Sequence, residues 1–187
     1  MPKYAELIYK VDIPDDVQLD ITNDSIVTVK GPLGQVTRDF SHAKIHIEKQ
    51  GNEVILKKQF PNKKQAATLG TIKAHIENMI TGVTKGFEYR LKIVYAHFPI
   101  RVSTKGRQVI IENLYGGRSP LKVDIMGEKT KVTVEDEDVV VTGINIEEVG
   151  QTAARIQEKC RLRGKRRKSP KTFMDGIYIY KKGIAGQ

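Results

Sequence analysis

Tryptophan is missing from this chain of 187 residues, aromatic residues of all kinds make up 6%, and cysteine occurs once, at Cys160. A single thiol cannot build a disulfide framework, which fits a reducing compartment. No apolar run exceeds four residues, as at Ile177-Tyr178-Ile179-Tyr180, so no segment has the length of a membrane span. The opening Met1-Pro2-Lys3-Tyr4 carries no long apolar stretch of the secretory kind. A cytoplasmic protein with no membrane contact is the expectation.

The residues of reaction chemistry are also sparse in arrangement. His42, His46, His75 and His97 are scattered, with no metal-ligand spacing among themselves or with Cys160. The only Gly-Lys step is Gly164-Lys165, and position 159 is lysine where a phosphate-binding loop needs glycine. Gly31-Pro32-Leu33-Gly34 lacks a dinucleotide fingerprint and reads as a tight turn. Neither a catalytic residue, a metal site nor a cofactor is expected.

What is present is lopsided charge. The formal net charge is +10. Residues 155–187 hold eleven Lys/Arg against Glu158 and Asp175, a balance of +9, whereas residues 1–154 hold 21 bases against 20 acids. Concentrated positive charge is the footprint of a polyanion partner, RNA or DNA.

The chain also repeats itself. Ile13-Pro14 and Phe98-Pro99 lie 85 positions apart, as do Gly31 and Gly116, and Val54-Ile55-Leu56 and Val139-Val140-Val141. Each triplet is the second arm of a hairpin whose first arm carries Ile45/Ile47 or Val132/Val134. The turns are Gln50-Gly51-Asn52 and the acidic run Glu135-Asp136-Glu137-Asp138, which reads as a loop tip. A helix follows in each half. Leu69, Ile72, Ile76 and Met79 form one apolar stripe, with Pro61-Asn62 at its start and Gly82 just past its end. Val149, Ala153, Ile156 and Cys160 form the other, with Asn145 and Glu148 spaced as a capping box and Gly164 as its stop. Cys160 falls on the inward face and reads as a core thiol.

These patterns predict an α+β fold: two tandem, duplicated domains, each of antiparallel β-strands packed around one α-helix. The first is expected over residues 1–93, a near-neutral scaffold with its helix at about 62–80. The second is expected over 94–187, with its helix at about 146–162, a basic insertion and a tail. A glycine-aromatic strand is read after each helix, at Gly86-Phe87-Glu88-Tyr89 and Gly176-Ile177-Tyr178-Ile179, and 93–99 as a rigid junction. The spacing from helix to strand is eight residues longer in the second half, where Lys165-Arg166-Arg167-Lys168 falls. One half is thus expected to pack while the other grips. Arginine grips phosphate with two parallel hydrogen bonds and lysine acts as a point charge. Tyr115, beside Gly116-Gly117-Arg118, is the one exposed-looking aromatic near bases, so shape and phosphate recognition of folded RNA is the expected mode. An architectural DNA binder and a nucleic-acid-processing enzyme are the rival classes.

Five stretches also carry a family likeness: Val29-Lys30-Gly31-Pro32-Leu33-Gly34, Thr71–Ile80, Gly82–Phe87, Val94–Ile100, and Phe173-Met174-Asp175-Gly176-Ile177-Tyr178. In these the chain resembles the universal large-subunit ribosomal protein L-six family, in its archaeal and eukaryotic form. Lys171 stands where the family signature usually has arginine, and 165–168 is more basic than is usual. The resemblance implies tandem α+β domains bound to large-subunit rRNA near the stalk base. Neighbouring stalk-base ribosomal proteins would adjoin it, with translation factors docking nearby. By matching positions, the RNA-binding residues would be Tyr115, Gly116, Gly117, Arg118, Arg161, Arg163, Lys165, Arg166, Arg167, Lys168 and Lys171, with Lys181 and Lys182 in the tail.

Overall fold

The structure, a computed structural model, describes residues 6–23, 25–161 and 174–186. The chain forms two compact units, residues 1–85 and 86–187.

In the first unit, β1 (Glu6–Asp12), β6 (Glu53–Gln59) and β5 (His46–Gln50) form one antiparallel sheet in that order. A second sheet is the meander β2 (Gln18–Thr22), β3 (Ile26–Gly31) and β4 (Gly34–Asp39). Alternation decides which face is buried: Val27 and Val29 of β3 point inward, while Lys30 points out. Helix α1 (Lys63–Thr84) packs on β1, β3 and β4 and contributes Leu69, Ile72, Ile76 and Val83 to the core.

Helix α1 begins where expected but ends later. The Asn62 side chain accepts from the Gln65 amide at 2.8 Å, and the Gln65 side chain accepts from the Asn62 amide at 2.9 Å. This reciprocal capping box satisfies two amides that the first turn leaves open. Gly82, expected beyond the end, is a buried helical residue; the stop is Gly86, at φ +76°. The extra turn is held from outside the helix. The Leu33 amide donates to the Val83 carbonyl at 3.0 Å, so the Gly31–Gly34 turn satisfies a carbonyl at the helix end.

The second unit repeats the plan with one addition. The meander β8 (Arg101–Lys105), β9 (Gln108–Glu112), β10 (Leu121–Asp124) faces a four-stranded sheet ordered β11 (Lys131–Glu135), β12 (Asp138–Gly143), β7 (Phe87–Val94), β13 (Gly176–Ile184). Helix α2 (Ile146–Lys159) packs on β7, β12, β13 and β10 and buries Val149, Ala153 and Ile156. It ends short of the expected 162, with Cys160 as its C-cap, 3% exposed. Asn145 caps it by accepting from the Glu147 amide at 3.1 Å. The expected capping box with Glu148 does not form, because that carboxylate turns to the Thr130 hydroxyl at 3.5 Å.

The expected division at 93/94 also moves. Strand β7, read from sequence as the close of the first repeat, pairs with β12 and β13 and so opens the second unit. Its counterpart is β1: Tyr9 faces Leu56 across that sheet as Tyr89 faces Val141 across this one. Residues 93–99, read as a junction, accordingly lie inside the second unit. Among the described residues β13 has no counterpart in the first unit. The segment from 161 to 175 is therefore the link to an added strand, not an insertion into a shared connection.

Candidate nucleic-acid interface

The nominated cations divide by their place in the fold. Arg163, Lys165, Arg166, Arg167, Lys168 and Lys171 lie outside the described residues. The described residues that flank them are Arg161, just past α2, and Met174, just before β13. These two ends define a neck.

Three separated pieces of chain meet there. The 113–118 turn joins β9 to β10, and the Tyr115 hydroxyl on it donates toward two carbonyls, Cys160 at 3.2 Å and Asp175 at 3.0 Å. Cys160 stands on the outgoing side of the neck and Asp175 on the returning side. The Asp175 side chain, in a residue 8% exposed, accepts from the Ala96 amide at 3.0 Å. Next to the turn, a Cβ added to Gly116 would sit 3.4 Å from the Phe98 ring, so that glycine packs on an aromatic face.

Tyr115 corrects a sequence expectation. It was read as an exposed aromatic, but it is half-buried with its hydroxyl turned inward. The bulky residue takes a left-handed conformation, φ +54°, as does Asn113 at φ +60°. Such backbone is uncommon outside glycine and persists where surroundings over-determine it. Burial, with Tyr178, Cys160 and Asp175 nearby, holds the phenol above its ordinary pKa, so it remains a donor at neutral pH. Burial likewise pushes the Cys160 thiol up to about 12, which keeps it neutral and unreactive.

The exposed cations at the neck are Arg118 and Arg161. Lys181 and Lys182 are not in a tail but in the middle of β13, with Lys181 opposite Arg90 and Lys182 opposite Tyr89. At roughly 3.3 Å per residue they stand about 15–20 Å along the strand from its start at Gly176. The Lys182 ammonium sits 5.8 Å from the centre of the Tyr89 ring, and lysines on an edge strand also discourage further pairing. Some cations elsewhere are paired within the chain, as at Lys10–Glu53 (2.8 Å), Lys57–Glu48 (3.2 Å), Arg90–Glu88 (2.6 Å) and Lys92–Glu137 (3.2 Å). Among the described residues, Arg118, Arg161 and Lys182 form no ion pair.

Sequence reading passed over one cationic surface. Lys122 of β10 with Arg155 and Lys159, one turn apart on α2, line a cleft of about 220 Å³. Asp124 and Glu158 share the cleft, which leaves it nearly balanced. The i, i+4 spacing of Arg155 and Lys159 was the available signal; the strand that completes the cleft comes only with the fold. Among the described residues, no group of three or more His, Cys, Asp and Glu could hold a metal ion. Among the described residues, no helix is long and apolar enough to cross a membrane.

The fold defines a duplicated α+β protein whose second unit carries exposed cations, Arg118 and Arg161, at the neck. Comparison with known proteins makes the class specific. The family model for ribosomal protein L6 matches residues 13–86 and 98–169, one stretch in each repeat. The large ribosomal subunit protein uL6 of Methanosphaera stadtmanae is 48% identical over 182 residues, 97% of each chain. Those of Staphylothermus marinus and Saccharolobus solfataricus are 45% and 46% identical, over 96% and 94% of this chain and 97% and 94% of their own. The chain belongs to the ribosomal protein L6 family.

Proposed function

We propose that the protein is a structural constituent of the large ribosomal subunit in the cytoplasm, without catalytic activity, which binds and stabilises folded large-subunit rRNA. The second unit is the RNA-binding half, and the first is a near-neutral scaffold. Contact is made mainly to phosphates and to shape, through Gly116, Gly117, Arg118, Arg161 and the cationic segment up to Lys171, with Lys181 and Lys182 further along β13. Its place is near the stalk base and the factor-binding region, beside the ribosomal proteins there and close to docking translation factors.

The observation that carries this reading is the placement of charge. Residues 155–187 hold +9 of the formal net charge of +10, and Arg118 and Arg161 of the second unit are exposed and form no ion pair among the described residues. Unpaired cations next to rigid backbone suit phosphate contacts, which position a protein on folded RNA. Sedimentation of the tagged protein through a sucrose gradient tests the proposal. It should travel with large subunits; protein that stays at the top of the gradient overturns the assignment.

A further inference from the structure

The first unit breaks local rules in one stretch, where β6 gives way to α1. Strand β6 buries Val54 and Leu56, and continued alternation would turn Phe60 to the same face. Instead Phe60 takes a left-handed backbone, φ +45°, and is 66% exposed, the most of any large hydrophobic among the described residues. Bulky residues seldom adopt that conformation, and the proline that follows favours extended backbone before it, so two preferences are overridden. Charge departs in the same stretch. Residues 54–76 hold five lysines and no carboxylate. Lys63 and Lys64 occupy the first turn of α1, where the positive end of the helix dipole disfavours cations; α2 places Glu147 and Glu148 there. Both lysines are exposed, and among the described residues neither forms an ion pair. Gln59, next to Phe60 in the chain, lines a cleft of about 330 Å³ with Lys44, Lys57 and Lys58, and Glu6 is the one carboxylate on its wall.

We propose that Phe60, with Lys63 and Lys64 beside it, is an RNA contact of the first unit, in which the ring stacks on an unpaired base and the lysines take flanking phosphates. This rests on the reading above that the partner is large-subunit rRNA, and it gives the first unit a contact of its own. An exposed ring offers its face to any base, and lysine acts on phosphate as a point charge. A protein partner fits the patch less well, because lysine is depleted where proteins meet. Left-handed backbone at Phe60 and cations at the helix start both cost the free protein stability. Departures of that kind cluster at functional sites, where a contact offsets them.

The test uses four full-length proteins: wild type, Phe60→Asn, Phe60→Tyr and the double variant Lys63→Gln with Lys64→Gln. Each is titrated with large-subunit rRNA over a range of salt, and each is melted alone. Losing one stacked base corresponds to a loss of affinity of about five- to hundredfold. Phe60→Asn should show that loss yet melt no lower than wild type, because asparagine tolerates the left-handed backbone. Phe60→Tyr keeps a stacking face and should bind as wild type does. The double lysine variant should have a log–log salt slope shallower by about 1.5. If Phe60→Asn binds rRNA as tightly as wild type, or the lysine variant keeps the wild-type slope, the contact is refuted while the reading of the second unit stands. If Phe60→Asn melts lower, the ring is structural and the contact is again refuted. If wild type itself does not bind rRNA, both fail together.

Discussion

Gly31 and Gly70 lie in the same unit, and changing each to alanine should move stability in opposite directions. A Cβ at Gly31 would come 2.7 Å from Val83 Cγ2, 2.9 Å from the Val83 carbonyl oxygen and 3.0 Å from Val83 Cβ. Two of those three atoms sit on or next to helix backbone and cannot swing aside, and Val83 is fully buried. Overfilling a packed site of this kind costs about 1–3 kcal/mol. The same carbonyl accepts the Leu33 amide, and displacing that bond adds about 1 kcal/mol. Gly31→Ala should therefore destabilise the first unit by about 2–4 kcal/mol. At Gly70, in the middle of α1, an added Cβ meets nothing within 4 Å. There alanine only reduces the freedom of the unfolded chain, and Gly70→Ala should stabilise by about 0.5–1 kcal/mol. Urea unfolding, with amide exchange at Ile76 to assign the transition to this unit, reads both. Shifts in the same direction, or an unchanged Gly31→Ala, would refute the packing reasoning.

The helix caps and the buried thiol give further expectations. Asn62→Ala removes the capping box of α1 and should cost about 1 kcal/mol in the same urea titration; no change would mean that tertiary packing alone sets that helix start. Cys160, raised to about 12 by burial, should resist iodoacetamide at pH 8 in the folded protein and react once the protein is unfolded. Because the folded thiol holds its proton to higher pH than an unfolded one near 9.0, its contribution to stability is complete below pH 9. That contribution declines as pH rises from there toward 12. Rapid alkylation of the native protein, or alkaline stability indifferent to Cys160→Ala, would contradict this.

The duplication was legible in sequence because β-branched triplets and helical stripes keep the same spacing in both halves. The strand that opens each repeat was not. Tyr9-Lys10-Val11 and Tyr89-Arg90-Leu91 occupy matching places in their sheets, yet they stand 80 positions apart while the other landmarks stand 85 apart. Tyr89 stands nine positions before Phe98 whereas Tyr9 stands four before Ile13, and that offset concealed the match. Alternation marks Phe87–Val94 as a strand but cannot name its partners, and proximity to α1 suggested the wrong repeat. Gly82 misled for a related reason: glycine ends a helix only where packing stops, and Val83 still faces the core. Among the candidate RNA-binding residues, charge alone pointed to Arg118 and Arg161. The inward turn of Tyr115 depends on a left-handed backbone and on two carbonyls 45 and 60 residues away, which no local pattern encodes.

The most direct test of the cationic grip is the salt dependence of binding to large-subunit rRNA, for wild type and for the variant carrying Lys165→Ala, Arg166→Ala, Arg167→Ala and Lys168→Ala. With about six phosphates neutralised, the log–log slope of affinity against salt should be roughly −4 to −5 in wild type, and about 3 shallower in the variant. A flat slope in wild type, or equal slopes in the two proteins, would contradict the account.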